Sequence, residues 1–296
     1  MNIEPQAESQ QIQVVSEETQ TDTGDVISYG DTVIAYGDAN NFKMVHLKEG
    51  GDFDNKFGRF KHSAFVGKHY GDRISSVNDK GFLFVLRLTP KFFTSSIAHK
   101  TQILYMHDIS LILFKLNVSR GDRVCESGTG SSSMTFALSR AVGEKGLVVT
   151  FEFNRDRFES SQEIFKTLGV SHVKNYHRNV LQEGFGCPEF DAGKPTAVFL
   201  DLPKPEIAVA HAASVLAKGG RICSFSPALE QVQATAKAMA ANGFLRVETV
   251  ELLERQLQTK FQKGEEDGQT SNIFVQGVRM DKTHTGFLTF GTKYTD

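Results

Sequence analysis

A glycine loop preceded by an acidic residue is the feature of the sequence best suited to bind a ligand. The acid Glu126 and Ser127 end a short apolar segment, and the loop residues Gly128, Thr129, Gly130 and Ser131 follow directly. Gly128 and Gly130 allow positive φ and a close approach of the backbone to a ligand. A helix beginning just after the loop would add free N–H groups and the positive end of its dipole. The pattern predicts a cofactor-binding turn between a strand and a helix.

The residues around this loop discriminate between cofactors. The dinucleotide fingerprint needs a third glycine where Ser133 stands, and no Gly-Lys-Ser/Thr follows as a P-loop requires. Glu126 would repel a phosphate but attract an α-amino group. Glu152 ends the next apolar segment, where a carboxylate suits a ribose diol. The pair predicts S-adenosyl-L-methionine; the alternative is that the two acids merely cap the following turn and helix.

Asp201 is the candidate catalytic residue. It ends the apolar segment TAVFLDL, and Pro203 and Pro205 behind it would stiffen the chain. Ligands of open α/β sheets bind at the carboxyl ends of the strands. A carboxylate there could accept a hydrogen bond from an adenine amine and raise the electron density at N1. The alternative is that Asp201 caps a helix starting near Glu206.

Asn179 and Val180 are candidates for contact with an adenine ring. Asn179 and Val180 follow another strand-like segment, at a place where such folds contact adenine. An Asn at this position alternatively forms a turn.

The segment Asp-Leu-Pro-Lys-Pro at 201–205 differs from the motif of many methyltransferases that act on exocyclic amines. Those enzymes place an aromatic residue after Asp-Pro-Pro, and its absence here argues against methylation of the adenine exocyclic amine.

The elements that must position these residues alternate between strand and helix after Pro90. A helix is predicted over 102–117, followed by apolar strands and amphipathic helices in turn. This pattern predicts an α/β fold with a Rossmann-like methyltransferase sheet. Residues 258–284 are polar and predict a mobile insertion poor in strands. The strand at 286–293 is expected to be an antiparallel edge of the sheet.

Three regions are expected along the chain. Residues 1–28 are polar and acidic and predict a disordered tail. Residues 29–95 predict a small all-β domain, barrel-like or a sandwich, with strands over 32–36, 42–47, 59–66 and 81–88. Residues 96–296 form the predicted methyltransferase domain.

Charge and composition narrow the classes of partner. Residues 56–100 contain nine Lys or Arg and two Asp, which suits a phosphate backbone or, alternatively, a solvated surface. No apolar run approaches a membrane span, and no secretory signal is apparent. The three cysteines are too far apart for a disulfide framework or a metal site, so a reducing compartment and no metal are expected.

The sequence resembles the catalytic subunit of eukaryotic tRNA (adenine-58-N1)-methyltransferase. The segments that carry the resemblance, in order from about residue 29 to 293, are AHKTQILYMHDISLI, GDRVCESGTGSSS, VVTFEF, AVFLDLPKP, CSFSPALEQVQ and HTGFLTFGTK. The resemblance implies methylation of a T-loop adenosine and contact of the β domain with tRNA. It also implies a heterotetramer with a noncatalytic tRNA-binding subunit of related fold, located in the nucleus, or alternatively in the cytoplasm or mitochondrion.

The resemblance also implies the roles of individual residues. Thr101, Gln102 and Ile103 would lie against the cofactor, the Glu126–Ser131 loop would hold its methionine end, and Glu152 its ribose. Arg157 would flank the adenosine, Asn179 and Val180 would border the adenine, and Asp201 would be the acid-base group. Two positions depart from the family, which often has Gly where Ser132 stands and Asp where Asn179 stands.

Two other functions are compatible with the fold. One is a methyltransferase acting on a protein aspartyl group or a small molecule, which would not need a basic front domain. The other is a noncatalytic RNA-binding subunit of the same fold. Such a subunit would be expected to have lost the glycine loop or Asp201, and both are intact here.

Overall fold

A small antiparallel β region precedes a larger α/β unit. The computed structural model describes residues 26–97, 104–255, 257–263, 270–277 and 284–294. The α/β character and the mostly parallel central sheet predicted from the sequence are confirmed.

The N-terminal region consists of one four-stranded sheet and one hairpin. Its strands are β1 (Thr32–Asp38), β2 (Asn41–His46), β3 (Asp52–Asn55), β4 (Gly58–Lys61), β5 (Arg73–Ser75) and β6 (Phe82–Arg87). The sheet order is β2-β1-β6-β5, and β3 pairs with β4. The alternating strands bury one face around Phe60, Phe65 and Leu83. The strand predicted over 59–66 is too long, because the chain turns into a short 3-10 helix at His62–Ala64.

The predicted tail ends earlier than residue 28. Ile27 is fully buried in the core of the β region, and Val26 forms an isolated antiparallel bridge with His69. Ile27 also exchanges backbone hydrogen bonds with Gly67 and Lys68. The few apolar residues at the end of this polar stretch therefore belong to the folded region, and residues 1–25 lie outside the described part.

The α/β unit alternates strands and helices through most of its length. Its helices are α1 (Pro90–Ser96), α2 (Met106–Leu116), α3 (Ser133–Val142), α4 (Arg155–Thr167), α5 (Val180–Glu183), α6 (Pro188–Asp191), α7 (Pro205–Val215) and α8 (Leu229–Ala241). Its main strands are β7 (Arg123–Ser127), β8 (Leu147–Glu152), β9 (Val173–His177), β10 (Ala197–Leu200), β11 (Arg221–Ser226) and β12 (Phe244–Glu251).

The central sheet has seven strands in the order β12-β15-β11-β10-β7-β8-β9, with β15 at Phe287–Lys293. Five adjacent strands, β11, β10, β7, β8 and β9, run parallel to one another. β15 is antiparallel to both of its neighbours, β11 and β12. The prediction that the last strand is antiparallel is confirmed, but its placement at the edge is wrong. β15 enters between β11 and β12, and its buried residues Leu288 and Phe290 pack in the core there.

The segment expected to be poor in strands contains a hairpin. β13 (Leu257–Lys263) pairs antiparallel with β14 (Thr270–Gly277). The polar composition of this segment did not predict strands. Backbone hydrogen bonds pair the two strands, and such bonds do not require an apolar face. The hairpin is a two-stranded sheet separate from the central one.

Apolar side chains cover both faces of the central sheet. One cluster includes Ile112, Leu138 and Phe199, and the other includes Phe151, Leu200 and Val209. Strands covered on both faces read as continuous apolar runs. The apolar runs of β8 and β10 predicted these strands, and the polar residue that follows each run lies at the carboxyl edge of the sheet.

Helix α1 connects the β region with the α/β unit. The ring of Phe93 lies 4.7 Å from that of Phe136 in α3, measured between centroids. The Thr94 and Ser133 hydroxyls are hydrogen-bonded at 2.5 Å. The buried contacts attach the β region beside the start of α3, close to the glycine loop.

No helix in the described ranges is long and apolar enough to cross a membrane. The same ranges contain no group of three or more His, Cys, Asp or Glu side chains arranged to hold a metal ion.

Candidate cofactor and acceptor site

The ends of three neighbouring parallel strands open onto one cavity of about 320 Å³. Strands β7, β8 and β10 end at Ser127, Glu152 and Leu200, and the residues just beyond β7 and β10 face the same space. The lining residues are Leu104, Gly128, Gly130, Glu152, Arg157, Asp201, Leu202, Pro203, Phe225, Pro227 and Gln231. The structure therefore brings together five of the residues selected from the sequence.

Gly128 packs directly against the backbone of Asp201. Its φ is +93°, and a β-carbon at this position would collide with the carbonyl oxygen of Asp201. The Gly128 N–H donates to the Phe151 carbonyl at 3.0 Å, and the Asp201 N–H donates to the Ser127 carbonyl at 2.9 Å. The glycine loop and the candidate catalytic residue are therefore held in one rigid arrangement.

Glu152 joins the glycine loop to the start of α4. One carboxylate oxygen accepts from the Gly130 N–H at 2.9 Å. The other accepts from the Asn154 N–H at 2.9 Å and from the Arg157 guanidinium at 2.7 and 3.0 Å. The side chain is only 2% exposed. The oxygen that faces Gly130 keeps a free lone pair for a hydroxyl donor.

Arg157 therefore has a defined partner in the described structure. It forms an ion pair with Glu152 and is 34% exposed. The cap of α4 is Asn154, whose side chain accepts from the Arg157 N–H. The alternative reading of Glu152 as the helix cap is wrong.

Glu126 is fully buried behind the glycine loop. One carboxylate oxygen accepts from the Thr135 hydroxyl at 2.6 Å, and the other has no hydrogen-bond partner among the described residues. Burial, with the nearby charges of Asp201 and Glu152, raises the pKa of Glu126 to about 8. A buried acceptor without a partner is costly unless a ligand supplies the donor.

Asp201 presents its carboxylate to the cavity. Its side chain is partly exposed, and none of the hydrogen bonds among the described residues ends on it. Burial and the charge of Glu152 raise the pKa of Asp201 to about 6. Helix α7 begins at Pro205 with Lys204 as its N-cap residue, so Asp201 is not its cap.

The rest of the glycine loop is buried or partly buried beside the cavity. The Thr129 hydroxyl is hydrogen-bonded to that of Thr150 at 2.7 Å, and Ser131 is partly buried. Ser132 is fully buried with φ +68°, a left-handed conformation that favours glycine. Ser132 therefore carries backbone strain that a Gly at this position would not.

Asn179 and Val180 do not line the cavity. Asn179 is the N-cap of the short helix α5, and its side chain accepts from the Leu181 N–H at 3.2 Å. Val180 is buried in the core. The turn-forming interpretation of Asn179 thus fits its geometry. Thr101, Gln102 and Ile103 lie outside the described residues.

Several lining residues were not selected from the sequence. Phe225 and Pro227 come from the end of β11, and Gln231 comes from the first turn of α8. The Gln231 amide donates to the Pro203 carbonyl at 3.0 Å, while its buried oxygen has no partner in the described part of the chain. Pro227 and Gln231 belong to the segment SPALEQVQ, which follows the parallel strand beside β10. Neither side chain is charged, so the spacing of acidic residues did not single them out.

These groups fit S-adenosyl-L-methionine better than a phosphate-containing cofactor. Three acidic side chains, Glu126, Glu152 and Asp201, lie around the loop, and each of them, when ionised, opposes the charge of a pyrophosphate. The unpartnered oxygen of Glu126 suits an ammonium donor, and the free lone pair of Glu152 suits a ribose hydroxyl. The glycines leave room for a ligand beside the backbone.

Comparison with known families gives a match over most of the chain. Residues 81–272 match the family described as the tRNA methyltransferase complex GCD14 subunit. A Cryptococcus neoformans tRNA (adenine(58)-N(1))-methyltransferase catalytic subunit is 44% identical over 232 residues, which cover 77% of this chain and 53% of that protein. The chain thus spans about half the length of that relative.

A second relative matches along nearly its whole length. The corresponding catalytic subunit of Dictyostelium discoideum is 34% identical over 300 residues, covering 90% of this chain and 96% of that protein. It extends the similarity into both regions of the fold.

Two solved structures share the architecture. A SAM-dependent O-methyltransferase from Thermotoga maritima has a TM-score of 0.74 at 25% identity, covering 92% of this chain and 96% of that one. The tRNA (m1A58) methyltransferase TrmI from Aquifex aeolicus has a TM-score of 0.68 at 25% identity, covering 92% and 100%. Both neighbours are methyltransferases, the first named for transfer to oxygen and the second for methylation of tRNA.

Proposed function

Because the chain belongs to the family of the tRNA methyltransferase complex GCD14 subunit, we propose that it is the catalytic subunit of a tRNA (adenine-58-N1)-methyltransferase. The observation that carries the proposal is the cavity where the glycine loop, Glu152 and the unengaged Asp201 carboxylate meet. The curated relatives bear this activity in their names.

The cofactor of the proposed reaction is S-adenosyl-L-methionine, which supplies an electrophilic methyl group when bound. Glu152 would accept from the ribose hydroxyls through the oxygen that also faces Gly130. Glu126 would accept from the amino group through its unpartnered oxygen. The backbone at Gly128 and Gly130 would let the ligand lie directly on the loop.

Asp201 would act on the acceptor. The lone pair of adenine N1 would form the new N–C bond as the bond between the methyl group and the sulfonium sulfur breaks, so the positive charge passes from sulfur to the adenine ring and a neutral thioether leaves. A carboxylate that accepts a hydrogen bond from the exocyclic amine stabilises this charge, mostly in the transition state. Asp201 is suited to this role because its backbone is held against Gly128 and its carboxylate accepts no hydrogen bond from the described residues.

The substrate base must leave its stack to reach the cavity. Extrusion of a nucleotide costs a few kcal/mol, which contacts elsewhere must offset. The basic segment 56–100 supports tRNA as the partner through phosphate contacts. A heterotetramer with a noncatalytic subunit and a nuclear location belong to the same proposal and rest on the family resemblance.

Nucleoside mass spectrometry tests the proposal. Unmodified tRNA would be incubated with S-adenosyl-L-methionine and the chain, with and without a co-expressed partner subunit. The expected product is N1-methyladenosine, and it should disappear when the tRNA carries guanosine in place of adenosine 58. Methylation of proteins or small molecules in place of tRNA would support the alternative function named from the sequence, a methyltransferase of the same fold with another acceptor.

A further inference from the structure

The outer face of the N-terminal sheet is covered on one half only. The strand register places Tyr36 opposite both Phe42 and Phe84, so the three rings lie on the same face. Phe92 of α1 packs against Tyr36 and Phe42 with ring centroids 6.0 and 5.2 Å apart. Helix α1 therefore covers the β1–β2 half of this face and leaves the β5–β6 half open.

The open half carries two exposed aromatic rings and a guanidinium. Phe82 and Phe84 are each 40% exposed, and their rings meet nearly perpendicular with centroids 5.6 Å apart. Arg73 lies opposite Phe84 in the register, and its guanidinium carbon sits 4.0 Å from the Phe82 ring centroid. Arg73, Phe82 and Phe84 are called the open aromatic face below.

The charge around this face favours a polyanion. Residues 73–91 contain four Lys or Arg and one Asp, and of the basic residues Arg73 lies on this face, whereas Arg87 alternates with Phe82 and Phe84 onto the other face of β6. Among the described residues no ion pair involves Arg73, so its charge has no internal counterion. A protein surface that covered these rings would have to desolvate this cation, whereas RNA offers phosphates for the charge and bases for the rings.

We propose that the open aromatic face binds unstacked nucleotides of the RNA substrate, by stacking bases on Phe82 and Phe84. The proposal rests on the proposed function, since it assigns a second contact to the same tRNA. Proteins recognise unpaired RNA bases by stacking them on aromatic rings and on Arg guanidinium planes. Extrusion of one nucleotide disturbs the stacking of its neighbours, and such a face would offset part of that cost.

A double substitution that keeps the apolar character but removes the rings tests this proposal. Phe82→Leu/Phe84→Leu would be made in the full chain, purified together with its partner subunit. We expect the Kd for unmodified tRNA at fixed salt to rise about tenfold, the scale of one lost base–aromatic stack. The kcat at saturating tRNA and the affinity for S-adenosyl-L-methionine should stay unchanged.

A matched control is Phe114→Leu, because Phe114 is 79% exposed on α2 and lies outside this face. It should leave the Kd for tRNA as in the wild type. Arg73→Gln gives a second test that leaves both rings in place. It should also weaken tRNA binding and make the affinity less dependent on salt.

The outcomes separate this proposal from the proposed function. If the wild type methylates tRNA and both the double variant and Arg73→Gln bind tRNA normally, the open aromatic face has no role in RNA binding. If the double variant instead dissociates from its partner subunit in sedimentation, the face is a protein interface and the proposal is overturned. If the wild type neither binds nor methylates tRNA, the proposed function fails as well.

Discussion

The backbone carbonyl of Asp201 occupies the space that a side chain on Gly128 would need. The first residue beyond β7 and the first beyond β10 are thereby packed together, and Asp201 is fixed relative to the glycine loop. At Gly128 the proposed cofactor loop is therefore in direct contact with the proposed acid-base residue.

Gly128→Ala should therefore remove both binding of S-adenosyl-L-methionine and methyl transfer. It combines a left-handed backbone with a steric collision, and together these should lower the free energy of unfolding by roughly 3 kcal/mol or more. Gly30→Ala is the matched control, because Gly30 has a φ of +95° but nothing within 4 Å of the added β-carbon. It should lose about 1 kcal/mol from backbone strain alone. Chemical unfolding and calorimetric titration would measure both variants, and equal losses would show that the contact with Asp201 is unimportant.

Glu152→Gln should weaken cofactor binding and destabilise the fold together. The carboxylate accepts from Gly130, Asn154 and Arg157, so the substitution removes the charge that holds the Arg157 guanidinium. Loss of a charge-assisted hydrogen bond should cost about 1.5–3 kcal/mol of cofactor affinity. Glu159→Gln breaks an exposed ion pair with Arg155 and should change neither quantity by more than about 0.5 kcal/mol. Calorimetric affinity equal to the wild type would remove Glu152 from the ribose site.

Glu152 has a structural role that its position in the sequence did not predict. The position at the end of an apolar strand predicted a carboxylate at the ligand, and the structure places it in the cavity. Its bonds to Gly130 and Arg157 depend on how the loop and α4 fold back onto the strand end. A sequence pattern does not encode those angles, so the structural part of its role was missed.

Features set by local sequence were predicted, whereas features set by packing between distant segments were not. The parallel strands and the meeting of Gly128, Glu152 and Asp201 followed from apolar runs and from the rule that strand ends share one edge. The insertion of β15 between β11 and β12 did not, because strand order depends on packing distant in sequence. Gln231 was missed for this reason as well, since its approach to Pro203 requires β11 beside β10.

The stability of the ligand-free protein should fall as the pH rises from about 5 to about 8. Burial raises the pKa of Glu126 to about 8, above its ordinary value of 4.5, so the folded state holds a proton that the unfolded state has released. Stability decreases with pH wherever the folded state binds more protons. Glu126→Gln should flatten this part of the profile, and thermal unfolding across the pH range would measure it. An identical slope in both proteins would mean that Glu126 is ionised in the fold.

Binding of S-adenosyl-L-methionine should release protons near neutral pH. An ammonium group beside Glu126 favours the ionised carboxylate and lowers its pKa, so the proton held by the ligand-free protein would leave. Calorimetry in buffers with different ionisation enthalpies would measure this release at pH 7. Glu126→Gln should release fewer protons, and equal release from both proteins would assign the proton to another group.

Asp201→Ala should abolish methyl transfer while leaving binding of the cofactor and tRNA largely intact. The carboxylate faces the cavity, is engaged by no hydrogen bond within the described ranges, and is held against Gly128. A group that acts mainly on the charge developing in the transition state lowers kcat more than ground-state affinity. The expected loss in kcat is roughly 10²–10⁴-fold, the usual scale of a positioned acid-base group.

Asp201→Asn separates the charge of this side chain from its shape. The amide has the size of the carboxylate but carries no negative charge, so the kcat of Asp201→Asn should be nearly as low as that of Asp201→Ala.

The activity of the wild type should depend on the ionisation of Asp201. Burial and the charge of Glu152 raise the pKa of Asp201 to about 6, so wild-type kcat should rise with pH through about 6 as the carboxylate ionises. Single-turnover rates on saturating tRNA from pH 5 to 8 would measure both effects. Asp191→Asn, at an exposed position that ends α6, serves as the control and should follow the wild-type profile. A wild-type rate in Asp201→Asn would show that the carboxylate does not stabilise the developing charge, and the group that does would have to be sought among the other side chains lining the cavity.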